Sequence, residues 1–292
     1  MTQPIVDAII SWGWISVVAL SFAMIFRSVG FLVFTHATVM VVGPYLFALV
    51  GKHLHMAIPL VAMIGVAGAV AYGCGLDLLL YRPLRLQGAS PLAMFLASLG
   101  AVVLFENIFS LAFGDAPFCL SSGSKVREGL QIAGAHITPV RLGTLIFGLI
   151  AMCFVAVLLS GTRIGRKIRA VANEPNLALS CGVDIDRTIF VTIAVGSALA
   201  GAVGILVALD VDVTPALGMR LLLPGVLAAI IGGTGSWYGP PIGALVVSMS
   251  RFVALWYFSS LWQDTFAFVI LLIVILVRPI GLCGRQMGLR RV

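Results

Sequence analysis

The sequence predicts an all-α, polytopic bundle of eight or nine transmembrane helices, one of them broken. Two observations carry this. Of 292 residues, 61% are hydrophobic and 10% are charged, against about 45–50% and about 25% in a soluble domain. That excess is more than one core can absorb. Apolar runs of about 20 residues also recur, each long enough as a helix to cross about 30 Å of hydrocarbon, and strands of alternating polarity are few. The length suits a single membrane domain over 1–292, without a separate soluble module.

The apolar segments fall near 9–26, 30–50, 56–76, 91–113, 142–160, 188–208, 221–235, 240–259 and 264–281. Their connections set the orientation, because short loops rich in Lys and Arg stay in the cytoplasm. YRPLR at 81–85 carries Arg82 and Arg85. The stretch at 163–169 carries Arg163, Arg166, Lys167 and Arg169, and the tail carries Arg278, Arg285, Arg290 and Arg291. An even number of crossings must separate each pair of these regions. The count closes with nine crossings, the N-terminus outside and the C-terminus cytoplasmic. No Lys or Arg precedes Arg27, so no cleavable leader is expected. The net charge of +7 gathers at helix ends and is no nucleic-acid signature. Cys74, Cys119, Cys153, Cys181 and Cys283 show no paired spacing and read as reduced packing residues.

The chemistry-bearing motifs are sparse. There is no GxxxxGK[ST] for nucleotide, and no HExxH, GxSxG or CxxC pair, which argues against an ATPase or a membrane enzyme. Few ionisable groups lie within the apolar runs. Glu106 is the clearest, in LGAVVLFENIFSLAF beside Asn107, and His36 is the next. Ion-coupled carriers usually place several such groups along the pathway. Their scarcity points to a carrier powered from elsewhere, or to a passive pore. Glu106, Asn107 and His36 are candidates for the pathway, and the alternative is a satisfied interior role. GGTGS, with Gly232, Gly233, Gly235 and Ser236, interrupts an apolar block. Broken helices of this kind build transporter sites. The same residues also serve close helix packing, or a cytoplasmic turn between two short helices. The longest external connection, about 114–140, is either a solvated loop or a docking surface for an extracytoplasmic partner.

The stretch TRIGRKIRAVANEPNLALSCGVDI at 162–185 stands apart from its apolar surroundings. Ile164, Ile168 and Val171 recur at i, i+4 and i+7, giving one apolar face, with the basic residues mostly off it. Asn173 is expected to cap a second short helix, with Glu174 in its first turn and Pro175 near its start. Leu177 and Cys181 share a face of that helix, and Gly182 suits its left-handed end. Contact with anionic lipid and fixing of topology account for the basic half. The second half is too short to be stable without something to pack on.

The order of residues adds to this. GRKIRAVANEPNLALSCGVDIDRT resembles the cytoplasmic coupling segment of the permease subunits of branched-chain amino acid ABC importers. Those segments read roughly G-R-x-x-R-A-x-A-x-[ND]-x-x-x-A-x-x-x-G-[IV]-[ND]-x-x-R. Gly165, Arg166, Arg169, Ala170, Ala172, Ala178, Gly182, Val183, Asp184 and Arg187 match. YRPLR at 81–85, VTPALG at 213–218, AAIIGGTGSWYGPPIGALV at 228–246 and RPIGLCG at 278–284 are similar to further elements of that family, in the same order. The resemblance implies a bacterial-type inner-membrane importer subunit working by alternating access. Its implied partners are two ATP-binding subunits, a second permease subunit and an extracytoplasmic solute-binding protein. ATP and Mg would sit on the ATPases, and this chain would hold no cofactor. The coupling loop would span about 161–187. Arg166, Arg169, Ala172, Asn173, Glu174, Leu177, Ala178 and Gly182 would meet the ATPase. The implied solutes are branched-chain or related amino acids, with amides and urea also in range.

The chain also departs from the family pattern. GFLVFTHATVM at 30–40 keeps Phe34 and His36, but Val33 replaces an Asn, and Ala37 and Thr38 replace a Gly and its polar neighbour. Glu106 stands where the family usually has a neutral amide, and Pro224 adds a breaker to the helix entering the glycine motif. A stand-alone channel for a small neutral solute is the competing expectation. It leaves the matching residues of the cytoplasmic insert unexplained.

Overall fold

A computed structural model describes residues 2–54, 58–118, 120, 130–132 and 135–284. Twelve α-helices are described: α1 (Thr2–Val29), α2 (His36–Leu54), α3 (Ile58–Leu76), α4 (Arg82–Leu86), α5 (Pro91–Phe113), α6 (Pro139–Gly161), α7 (Arg163–Asn173), α8 (Pro175–Ser180), α9 (Ile185–Ala208), α10 (Leu217–Gly232), α11 (Gly239–Tyr257) and α12 (Gln263–Val277). Among the described residues, seven helical spans are long and apolar enough to cross a membrane, and Leu217–Gly232 is a shorter apolar helix. An antiparallel hairpin, β1 (Leu130–Ile132) with β2 (Ala135–Ile137), departs from the all-helical expectation. It lies in the predicted external loop, much of which is outside the described residues.

Helix starts follow the sequence locally. Ser90 and Thr138 each precede a proline, and their side chains accept from the backbone N–H of Ala93 (3.2 Å) and Arg141 (3.4 Å). Each proline fills a first position whose N–H has no helical partner in any case.

The chain divides into two compact units. The first comprises Met1–Ala23, Ser124–Gly165 and Leu223–Val292. Within it α1 meets α6 closely: a Cβ on Gly148 would lie 2.8 Å from the Gly13 carbonyl oxygen. Small residues allow this approach where hydrophobic burial alone gives lipid-embedded helices little preference. Asp7 and Arg141 form an ion pair at 2.8 Å, each about one-third exposed. Asp7→Asn should therefore lower stability by at most about 1 kcal/mol, measured as a thermal melt in detergent.

The second unit comprises Met24–Gly123 and Arg166–Leu222. Its centre is α2, α3 and α9, packed through small residues. A Cβ on Gly43 would lie 3.0 Å from the Gly201 carbonyl oxygen, and one on Gly65 would lie 2.9 Å from that of Gly43. Val39, Met40, Val61, Ala69, Ala200 and Val203 are buried between these helices.

Two stretches of this unit differ from expectation. The segment predicted at 30–50 is helical only from His36. Residues 30–35 are not helical, yet Phe31, Val33 and Thr35 are buried. Residues 209–216 likewise form turns and extended chain, with Val213 fully buried and bridged to Phe118. Non-helical backbone can persist at such depth because protein surrounds it. The expected break at Pro224 does not occur, and the proline lies inside α10. Apolar helices tolerate proline where neighbouring groups satisfy the freed carbonyl.

Candidate functional site

Of the predicted polar residues in the apolar segments, His36 and Glu106 line two small cavities of the second unit near the start of α2. The first is lined by Ile25, Val33, Thr35, His36, Val39, Gly73, Leu76, Tyr81, Ile193 and Ser197, with room for about one water molecule. His36 is 2% exposed, and the Ser197 hydroxyl is buried without a hydrogen-bond partner. Thr35 and Tyr81 share a hydrogen bond of 2.5 Å between their hydroxyls.

Three elements bound the second cavity: α2 with Ala37, Thr38 and Val41, α5 with Val102, Glu106 and Phe109, and the entry to α10 with Pro215, Gly218 and Met219. Among the described residues that line it, Glu106 alone is ionisable. Thr38 accepts from the Tyr72 hydroxyl at 3.1 Å and donates to the Thr35 carbonyl at 2.7 Å. The walls are otherwise apolar. A solute carrying a polar nitrogen and an aliphatic body would meet a carboxylate, a hydroxyl and a greasy lining here.

Other predicted residues sit elsewhere. Asn107 is exposed, and its side-chain amide donates to the Val103 carbonyl of its own helix at 2.7 Å. Phe34 is half-buried, stacks edge-on against Phe95 at 5.7 Å, and its backbone N–H donates to Ser98 at 3.4 Å. Thr38 is one of the departures from the family pattern, whereas Thr35, Tyr72, Tyr81 and Ser197 are not singled out by the sequence. Hydroxyls in apolar helices are too common to stand out, and only the packing of α2, α3 and α9 brings these together.

In the first unit, Gly232, Gly233, Gly235 and Ser236 lie at the end of α10 and in the turn that leads to α11. The turn is clasped by the C-terminal segment: Leu282 and Cys283 donate backbone N–H groups to the Ile231 and Gly232 carbonyls at 2.8 and 3.0 Å. Ser236 donates to the Cys283 carbonyl at 3.3 Å and accepts from the Gly239 N–H at 3.2 Å. Gly233 has φ of +85°, and a Cβ there would lie 2.8 Å from Ile280 and Gly284 backbone atoms. These contacts account for the glycines by close packing of a turn.

The insert at 162–185 forms α7 and α8. Ile168 and Val171 are buried as their spacing predicts, while Ile164 is exposed. Asn173 does not cap α8. It ends α7, and its side-chain carbonyl accepts from Arg27 at 2.9 Å. Glu174 occupies the cap position with extended backbone, and its side chain makes no capping bond. The Pro175–Asn176 sequence starts the helix one residue later than a cap at Asn173 would require. Gly182 has φ of +77°, as expected for a left-handed helix end. Ala178 seats α8 on the unit, whereas Glu174, Leu177 and Leu179 are exposed, as are Arg166 and Arg169 earlier in the insert; Ala172 is half-buried.

A family model for the permease component of branched-chain amino acid transport systems matches residues 5–277. The chain belongs to that family. It is 28% identical over 282 residues to the high-affinity branched-chain amino acid transport permease LivH of Salmonella typhimurium, covering 92% of this chain and 91% of that one. It is 24% identical over 295 residues to the corresponding permease BraD of Pseudomonas aeruginosa, covering 97% and 95%. Among solved structures, PsaBC from Streptococcus pneumoniae in complex with Fab superposes with a TM-score of 0.51 at 13% identity, covering 96% of this chain and 92% of that one. That likeness shows the helical fold. As a member of the branched-chain permease family, the chain is a multi-pass transport subunit rather than an enzyme.

Proposed function

We propose that the chain is the membrane-spanning permease subunit of an ATP-driven importer for branched-chain or related amino acids. Eight or nine crossings would form the translocation pathway, and the C-terminus would be cytoplasmic. A second permease subunit, two ATP-binding subunits and an extracytoplasmic binding protein would complete the assembly, with ATP and Mg on the ATPases. The cavities around His36 and Glu106 mark the pathway of this unit. Residues 30–35 and 209–216 border them as non-helical chain, the kind of backbone that lines transporter sites.

The observation that carries the reading is α8. Six residues cannot hold a helix alone, and this one turns Leu177 and Leu179 outward, 65% and 61% exposed, from a charged segment. Exposed leucines on such a helix fit a groove on a partner. Nucleotide-driven movement of that partner would then bias the permease between outward-open and inward-open states.

The test is reconstitution of the whole transporter in proteoliposomes with leucine as probe. ATP-dependent uptake is expected from the wild type. Leu177→Asp combined with Glu174→Lys changes only exposed positions, so insertion should persist. Uptake should fall by about tenfold or more, the size of a lost coupling energy, while ATP hydrolysis continues. Normal uptake by this variant would remove α8 as the coupling element. Leucine flux through the permease alone, without ATPase, would favour a channel instead.

A further inference from the structure

The apolar span that begins as α3 does not stop at Leu76. It passes through a π-helical turn, Asp77–Tyr81, into α4. Such turns are rare, and they recur where a helix serves function rather than stability.

This turn carries a buried acid. The Asp77 side chain is 1% exposed, and the Arg85 guanidinium donates to it from Nη1 at 2.7 Å. Nη2 of the same guanidinium lies 3.6 Å from the Asp186 carboxylate in the first turn of α9. Arg85 thus joins the end of one membrane helix to the beginning of another. It is a poor stabiliser, because its Nε and Nη2 are buried without hydrogen-bond partners. A buried ion pair with unmet donors stabilises little beyond what apolar side chains of similar size would give.

The two ends of this bridge lead to different places. On the α9 side, Asp184 caps the helix by accepting from the Arg187 N–H at 3.0 Å. Just before it, the Val183 N–H donates to the Ala178 carbonyl of α8 at 3.0 Å. A displacement of α8 is therefore felt directly at Asp186. On the α3 side, Tyr81 ends the π-helical turn, is 2% exposed, and bonds Thr35 immediately before α2. Thr35 and Tyr81 both line the His36 cavity.

We infer that Arg85 is a positioning residue for transport: it carries movement of α8, through Asp186 and Asp77, to the Tyr81–Thr35 bond that sets the start of α2. The inference rests on the reading of α8 as the coupling helix. Its physical content is that the Asp77–Arg85–Asp186 bridge and the Tyr81–Thr35 bond act in series between α8 and the cavity.

The experiment uses the complete transporter in proteoliposomes, with leucine uptake and ATP hydrolysis measured together. Arg85→Gln should leave hydrolysis nearly unchanged and lower leucine carried per ATP by about tenfold, within the usual range of coupling energies. Tyr81→Phe should lower the same ratio. Because the two links act in series, the double variant should be no worse than the worse single one, whereas independent sites would multiply. Arg85→Lys should restore part of the ratio, since an ammonium can still meet one carboxylate. Asp186→Asn leaves the Asp77–Arg85 pair intact and should repeat the uncoupling if Arg85→Gln fails to fold. Uptake and hydrolysis falling together, or losses that multiply, would overturn the inference with the importer reading left standing. A wild type lacking ATP-dependent uptake would overturn both.

Discussion

Replacing Gly204 with leucine should abolish the packing of α2 against α9. A Cβ at this position falls in contact with the Met40 carbonyl oxygen and lies 3.0 Å from its carbonyl carbon. Backbone atoms, unlike the end of a flexible side chain, cannot turn away. Added bulk in a well-packed core costs about 1–3 kcal/mol where neighbours can adjust, and more where they cannot. The expected result is little monodisperse protein after detergent extraction, and a melting temperature well below wild type in what survives. Gly100→Ala is the control. It also sits within a helix, but a Cβ there meets nothing within 4 Å. It should be neutral or stabilising by up to about 1 kcal/mol, since alanine is the better helix former. Equal melting temperatures for Gly204→Leu and wild type would refute the close approach of these two helices.

Glu106→Gln should lower leucine uptake through the proposed pathway about ten- to a hundredfold. The estimate takes about 1.5–3 kcal/mol for a hydrogen bond to a charged group and about 1.4 kcal/mol per factor of ten. The carboxylate is the ionisable lining group of its cavity, and Thr38 is the neighbouring hydroxyl. ATP hydrolysis by the proposed assembly should persist, because the change is nearly isosteric and lies on α5, away from α8 in sequence. Asn107→Ala, on the exposed side of the same helix, should leave uptake within about twofold of wild type, as expected of a surface position. Wild-type uptake by Glu106→Gln would remove this cavity from the pathway.

How much of this was legible depended on the range of the physical signal. Each predicted apolar segment contains a helix, because hydropathy over about 20 residues reports directly on burial in lipid. Gly182 was legible for a similar reason: one residue type dominates one backbone conformation. The start of α2 was not. GFLVFT is as apolar as a helix, and nothing local records that protein rather than lipid surrounds it. The cap of α8 was misplaced because Asn173 suits a helix start in isolation, whereas Arg27, 146 residues away, takes its side chain. Arg82 and Arg85 read as topology markers, and the Asp77–Arg85–Asp186 bridge stayed hidden. Asp77 lies at the end of an apolar run, and the far end of the bridge, Asp186, belongs to α9, a helix distant in sequence. The glycine motif showed that something tight occurs there, without showing that the C-terminal segment is its partner.

The short helix α10 has a consequence for how the protein is made. Leu217–Gly232 falls below the length that reliably spans hydrocarbon, and it contains Pro224. A ribosome-bound translocation channel that sorts segments one at a time would not hold it firmly. It follows one long apolar helix, α9, and precedes another, α11. Insertion should therefore proceed here by a helical hairpin, with α10 entering the bilayer only when α11 emerges. With Ile230→Cys as the reporter, in a background whose native cysteines are changed to serine, ribosome-stalled intermediates ending after α10 should react with water-soluble thiol reagents, and intermediates extended through α11 should be protected.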